Sequence, residues 1–463
     1  MTIDTILKKN TIPFTLRELE QYAIQYDTPY YIYDENLIKL NAIKYMDTFE
    51  KYFKNFKQFF AVKACPNPSI LKILSECGMG FDCSSPEEIK ISKLISPYSK
   101  IMYSSNYTSK PDLDFAYQNN CIINLDSIDG LENLTQIPEI ISFRFNPDIE
   151  TNVDVKSNEF SGSNTKFGMT KKYIIEAYLT ARNLDKIKKF GLHTMCASNQ
   201  LDIKYWDKII DSVFELIKIL QDYNIIIEFV NIGGGLGIPY KPSDKEINLD
   251  EFCMNLRQQF DLNIKKYNIT LEPTLYTECG RYITGPYGYL VSRCQSIKNN
   301  DQIFYGLDAN MSNLMRPGMY NSYHHISIPR LNEENKTIKA NVVGTLCENN
   351  DWFAKQRELP INIKKGDIFV IHDCGAHAFS MGFNYNSKLR SCELLKNSDK
   401  IELIRERETF KTLFQNTKLY KQNDNINNLE YFILFLTFIS FIILTLKFEP
   451  NYNQHLLEAG HLI

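Results

Sequence analysis

Over the first 285 residues, short apolar runs alternate with longer segments of helical period. Phe59–Val62, Ile101–Ser104, Ile122–Leu125, Ile141–Phe145, Phe190–Thr194, Ile225–Ile232 and Thr274–Thr277 have the length of strands. Several are apolar at both parities, which predicts parallel strands covered on both faces. Between them, Pro68–Glu76, Ser85–Ile95, Lys171–Arg182, Tyr205–Tyr223 and Leu249–Tyr267 read as helices. A further segment, Thr28-Pro29-Tyr30-Tyr31-Ile32-Tyr33-Asp34, reads as a strand entering from a turn. Alternation over about eight units predicts an α/β chain built on a (β/α)8 barrel, with a doubly wound open sheet as the alternative. After Gly285 the pattern changes to short strands and turns through Leu395, which predicts a separate β-rich domain.

The pattern changes again near the end. Tyr431 to Leu446 reads YFILFLTFISFIILTL without a charge, between Glu430 and Lys447. As a helix it reaches about 24 Å, a little short of a ~30 Å hydrocarbon core. A membrane span, a helix docked on the body and a reading-frame extension all fit. Gln422–Asn428 before it has the composition of a polar linker.

Composition narrows the class. With 52 Lys and Arg against 55 Asp and Glu, the net charge of −3 gives no basic footprint for nucleic acid. The 11 cysteines are scattered, with no Cys-x-x-Cys pair, which predicts reduced thiols and neither a disulfide framework nor a metal site. The start, from Met1 to Lys9, lacks the apolar core of a signal peptide, so a cytoplasmic protein is expected.

Candidate chemistry lies where strands end. In Phe60-Ala61-Val62-Lys63-Ala64-Cys65-Pro66-Asn67-Pro68 one lysine closes an apolar run. A lysine there either lies in solvent or projects into a pocket, where desolvation frees its amine to attack a carbonyl. Ile225–Ile232 runs into Gly233-Gly234-Gly235-Leu236-Gly237, either a plain turn or a loop whose N–H groups cradle an anion. Glu278 and Arg281 follow the next strand, as a surface ion pair or as partners of a ring nitrogen and an anion. Cys347-Glu348 suits a proton donor beside an ammonium-binding acid, or a structural cysteine. His324 and His325 are adjacent and point apart on a strand, so no metal site is expected there.

From about Tyr26 to Leu413 these segments resemble the fold-type III pyridoxal-phosphate decarboxylases, in particular the diaminopimelate branch. The likeness rests on FAVKACPNP, GMGFDCSS, KFGM, NIGGGLG, TECGRY, DANMSNLMRPGMYNSYHH, GTLCENND and GFNYN, in that order. It implies an alanine racemase-like architecture. Residues 1–34 join the β-rich domain, 35–285 form the cofactor-binding barrel and 286–413 the β-rich barrel or sandwich. A linker (414–430), the apolar segment (431–447) and a tail (448–463) follow. It also implies pyridoxal 5'-phosphate held by Lys63, with Asp82 near its ring and Glu278 on its pyridine nitrogen. Gly234, Gly235, Gly280, Arg281 and Ser198 would hold the phosphate. Arg281, Arg316 and Tyr320 would grip a substrate carboxylate and Glu348 the distal ammonium, while Cys347 returns a proton. The small amino-acid substrate would be bound in a homodimer with shared sites, Cys347 serving the partner's.

Three positions depart from the resemblance. Met195 stands where many relatives have a histidine stacked on the cofactor, and His193 either reaches the site in its stead or is a core residue. His377 replaces a phosphate-contacting tyrosine, and Cys279 a proline. The expected reaction is decarboxylation of meso-diaminopimelate to lysine. A polyamine-pathway decarboxylase acting on ornithine, arginine or carboxynorspermidine is the alternative. An inactive regulatory relative fits less well, because Lys63, Glu278, Arg281, Cys347 and Glu348 are all kept; a membrane-anchored scaffold is the remaining reading.

Overall fold

The computed structural model describes residues 11–149, 160–162, 164–331, 336–398 and 400–421, with Leu436 and Ile439. The chain divides into two compact units, Met1–Arg407 and Glu408–Ile463. In the second, Thr409 and Thr412 form a capping box on the short helix Phe410–Phe414. The apolar run Tyr431–Leu446 lies outside the described residues except for Leu436 and Ile439. Among the described residues no helix is long and apolar enough to cross a membrane.

After the helix Leu16–Tyr26, the first unit passes through β1 (Tyr30–Asp34) and then builds a barrel. Its strands are β2 (Lys57–Ala61), β3 (Gly80–Cys83), β4 (Ile101–Ser104), β5 (Ile122–Leu125), β6 (Ile140–Phe145), β7 (Lys189–Thr194), β8 (Ile227–Asn231) and β9 (Thr274–Thr277). All pair in parallel with their neighbours, and Lys57 opposite Tyr276 closes β2 onto β9. Closure excludes the open doubly wound sheet.

Local chemistry sets the connections. Asn67, Ser85, Ser109 and Asn248 each accept a backbone N–H at the start of the helix that follows, and the first three are followed by proline at the first or second position. Phe59, Met102, Phe229 and Tyr276 form a cluster of their own, with Phe229 stacked on Tyr276 at 4.4 Å between centroids. Gly191 makes room for it: a Cβ there would lie 1.9 Å from the Phe229 ring.

The β-rich part contains β10 (Gly288–Asn299), β11 (Ile303–Leu307), β12 (Ile326–Ser327), β13 (Thr337–Val343), β14 (Trp352–Pro360), β15 (Ile368–Ile371), β16 (Cys392–Asn397) and β17 (Lys400–Arg405). The sheet runs β14-β13-β11-β10-β1-β16-β17, with β15 joined to β10 and β12. β1 lies antiparallel to β10 and parallel to β16, so the chain enters this sheet at β1, builds the barrel and returns. Buried Tyr31 and Tyr33 lock the crossing, their hydroxyls donating to the Asn313 carbonyl at 2.6 Å and to Glu393 Oε1 at 2.7 Å.

Candidate active site

Strand β2 stops at Ala61, and Lys63 sits in the 3-10 turn Val62–Ala64. The expected strand-end lysine is therefore one short turn beyond the strand. Its Nζ lies 3.7 Å from Asp82 Oδ2; Lys63 is half exposed and Asp82 fully buried. Among the described residues neither Asp82 oxygen has a hydrogen-bond partner. Burial, then the nearby charge of Glu278, pushes the Asp82 carboxyl well above the usual range, against the pull of Lys63.

Glu278 follows β9 directly. Its Oε2 pairs with His193 Nε2 at 3.1 Å, while Oε1 accepts from Asn231 at 2.7 Å and Ser104 at 3.2 Å. Burial pushes this carboxyl up, but His193, Lys63 and the Asn231 hydrogen bond outweigh it and hold it at about 2. Of two buried acids on neighbouring ground, one is stabilised as the anion and the other as the neutral acid.

The glycine loop after β8 is tight. A Cβ on Gly234 would meet the Glu278 carbonyl at 2.7 Å, and one on Gly235, where φ is +92°, would meet the Ala197 carbonyl at 2.5 Å. At Gly280 it would meet Ala64 Cβ at 2.7 Å. Arg281, at the start of the helix Arg281–Thr284, donates to Ser198 Oγ at 3.1 Å and to Tyr240 OH at 2.6 Å. These groups surround a cavity of about 410 Å³, lined among others by Lys63, His193, Ser198, Glu278, Arg281 and His377. Burial, then Arg281, Arg316 and Lys63, keeps His377 well below the usual imidazole range and therefore neutral.

The structure resolves two points the sequence left open. His193 reaches the site: it lines the cavity and bonds Glu278. Met195 lines it too, with Sδ accepting from the Gly234 N–H at 3.2 Å.

Not every expected residue meets there. Arg316 is buried at the start of the helix Arg316–Tyr320, bonded to His324 Nε2 at 2.9 Å and 4.5 Å from the Tyr240 ring centroid. Tyr320, at the end of that helix, is half buried. Neither lines the cavity. Cys347 is exposed, its N–H donating to Asn386 Oδ1 at 2.7 Å, and Glu348 Oε1 accepts the Asn350 N–H at 3.0 Å. Both lie outside the cavity of their own chain.

Sequence reasoning missed Ser104, Arg144, Asn231 and Tyr240. Arg144, buried, lines the cavity and lies 3.6 Å from Asp126. Ser104 and Asn231 are the last residues of β4 and β8, and Arg144 is one short of the end of β6. A polar residue closing an apolar barrel strand was the available signal.

The residues fit pyridoxal phosphate. An amine faces the cavity, a buried carboxylate is held ionised, glycines and Arg281 leave an anion cradle, and among the described residues Asp82 lacks hydrogen-bond partners. Residues 41–285 match the family model described as the pyridoxal binding domain of pyridoxal-dependent decarboxylases. The chain belongs to that family. It is similar to Protein TabA of Pseudomonas amygdali pv. tabaci, 36% identical over 400 residues and covering 85% of this chain and 91% of that protein. It is also similar to diaminopimelate decarboxylase of Methanothermobacter thermautotrophicus, 34% identical over 404 residues, 85% of this chain and 92% of that one. Among solved structures, diaminopimelate decarboxylase from M. jannaschii in co-complex with L-lysine matches with a TM-score of 0.79 at 30% identity, covering 86% and 94% of the two chains.

Proposed function

We propose that this chain removes carbon dioxide from meso-2,6-diaminopimelate and releases L-lysine. The observation that carries the reading is the pairing of an amine site, Lys63 beside Asp82, with two buried arginines that no carboxylate neutralises. Among the described residues no ion pair to Arg281 or Arg316 occurs. A substrate with a second carboxylate satisfies those cations. An ornithine-like substrate, ending in a cation alone, would be repelled by them.

In this reading Lys63 would hold the cofactor through its amine and give up its place to the amine of the substrate. Gly234, Gly235, Gly280, Ser198 and His377 hold the phosphate by backbone and side-chain donors. Glu278, kept anionic by His193 and Asn231, accepts from a protonated ring nitrogen. Bound there, pyridoxal phosphate supplies the electron sink for the pair left when the bond to carbon dioxide breaks. Arg281, which lines the cavity, grips the distal carboxylate, and Arg316 adds its charge from the far side of the Tyr240 ring, near Tyr320 on the same short helix. A proton then goes to the α-carbon from the Cys347 thiol. Cys347 is exposed, Glu348 is half-buried and both lie outside their own cavity, which supports a homodimer in which each copy completes the other's site.

The test supplies purified protein with pyridoxal phosphate and, separately, meso-diaminopimelate, ornithine, arginine and carboxynorspermidine. Carbon dioxide and amine product are measured. Lysine from diaminopimelate, with little turnover of the others, is the expected result. Turnover confined to another substrate would overturn the assignment.

A further inference from the structure

Arg281 and Arg316 are both buried, at 7% and 4% exposure. Burying a guanidinium away from water is costly unless it is partnered, and the usual partner is a carboxylate. Here the partners are neutral. Arg281 donates to Tyr240 OH and Ser198 Oγ, at 2.6 and 3.1 Å, and its Nε has no partner among the described residues. Arg316 donates to His324 Nε2 at 2.9 Å and lies over the Tyr240 ring at 4.5 Å.

The tautomer of His324 follows from its other bond. Its Nδ1 lies 2.8 Å from the His372 carbonyl, which only accepts, so Nδ1 carries the proton. Nε2 is then a bare acceptor for Arg316, and the ring is neutral. Burial and the nearby arginines push its pKa well below the usual imidazole range, in the same direction. Tyr240 touches both guanidinium groups, by its hydroxyl on one side and its ring on the other.

We infer that Tyr240 and His324 are positioning residues that hold Arg281 and Arg316 with neutral acceptors, leaving both charges for a carboxylate of a dicarboxylic ligand. An acid in either place would hold the arginines as well and cancel the charge the ligand needs. The inference deepens the proposed function and rests on it for the class of substrate.

The probe is pimelate, which has the chain length and both carboxylates of diaminopimelate but no amine. Its binding to the full, cofactor-loaded protein is measured by calorimetry, with the cofactor absorbance and thermal midpoint recorded for each variant. Y240F keeps the ring over Arg316 and removes the hydroxyl from Arg281. H324E puts a carboxylate on Arg316, and H324Q keeps a neutral acceptor. Wild type should bind pimelate, while Y240F and H324E bind it about tenfold more weakly or worse, at unchanged cofactor absorbance. H324Q should stay within about threefold of wild type. Equal binding by wild type and Y240F, no binding by wild type, or equal losses in H324Q and H324E would each overturn the inference. Should H324E fail to fold, the Y240F and H324Q arms decide. Pimelate binding as expected without diaminopimelate turnover would sink the proposed function and leave the clamp standing.

Discussion

The backbone N–H of His377 donates to the carbonyl of Ala64 at 2.8 Å, so the β-rich part of the chain holds the turn that carries Lys63. Ser380 Oγ reaches the same carbonyl at 3.3 Å. Three residues past Ala64, Asn67 caps the next helix through the Ser69 N–H and gives its amide to Glu393 Oε2 at 2.9 Å. Arg405 bonds the same Glu393 oxygen. Asn67→Ala should cost about 2 kcal/mol by losing a cap and a charged hydrogen bond at once. Urea unfolding of the apo protein checks the cost, and a weaker hold on pyridoxal phosphate should accompany it. An unchanged midpoint would show that the turn is fixed elsewhere.

Among the described residues, the only cation paired with the buried acid Asp82 is a half-exposed lysine at 3.7 Å. Its folded pKa lies above the unfolded value, so the folded state binds the extra proton and stability falls as pH rises. Asp82→Asn should therefore be more stable than wild type by about 1–2 kcal/mol near neutral pH, with the gap closing toward about pH 4. Decarboxylation should slow by about tenfold or more, since the group beside Lys63 can no longer exchange a proton. Thermal midpoints across pH, with kcat alongside, decide it.

Glu278 has the opposite sign. Its carboxyl titrates at about 2 in the folded chain against 4.5 when free. The stability it contributes is complete above pH 4.5 and is lost as pH falls through about 2. Glu278→Gln should be less stable than wild type near about pH 6, the difference vanishing toward about pH 2. A pH-independent difference would mean that packing, not charge, is what the variant removes.

All residues assigned to the site lie before Arg407, within the first unit. Removing Gln422–Ile463 should leave cofactor absorbance and kcat unchanged. Loss of either would give the tail a part in the site. A shift of the full chain to the membrane fraction, absent after truncation, would make the apolar run an anchor.

The barrel was legible because its strands are short, doubly apolar runs set between helical segments. β3 escaped because Gly80-Phe81-Asp82-Cys83 contains a glycine and the very carboxylate that serves the site. The helices Glu35–Tyr52 and Lys110–Gln118 escaped because their apolar faces are thin, although Asp34 and Ser109 cap them. At the site, Lys63, Glu278, Arg281 and the glycine loop could be read because each sits in a compact motif. Ser104 and Asn231 carried a weaker signal, a polar residue closing an apolar strand, and Tyr240 carried none, since its importance lies in which arginines it touches. Cys347 and Glu348 are a different case: their motif is plain in the sequence, yet one folded chain leaves them on its surface.

Lys63 is the centre of this account, and Lys166 is a second lysine lining the same cavity. The most direct measurement loads the protein with pyridoxal phosphate, reduces it with borohydride and maps the modified peptide by mass spectrometry. A single modified residue, Lys63, is expected, with loss of the cofactor's absorbance band in Lys63→Ala. Modification of Lys166, or none in folded protein, would contradict it.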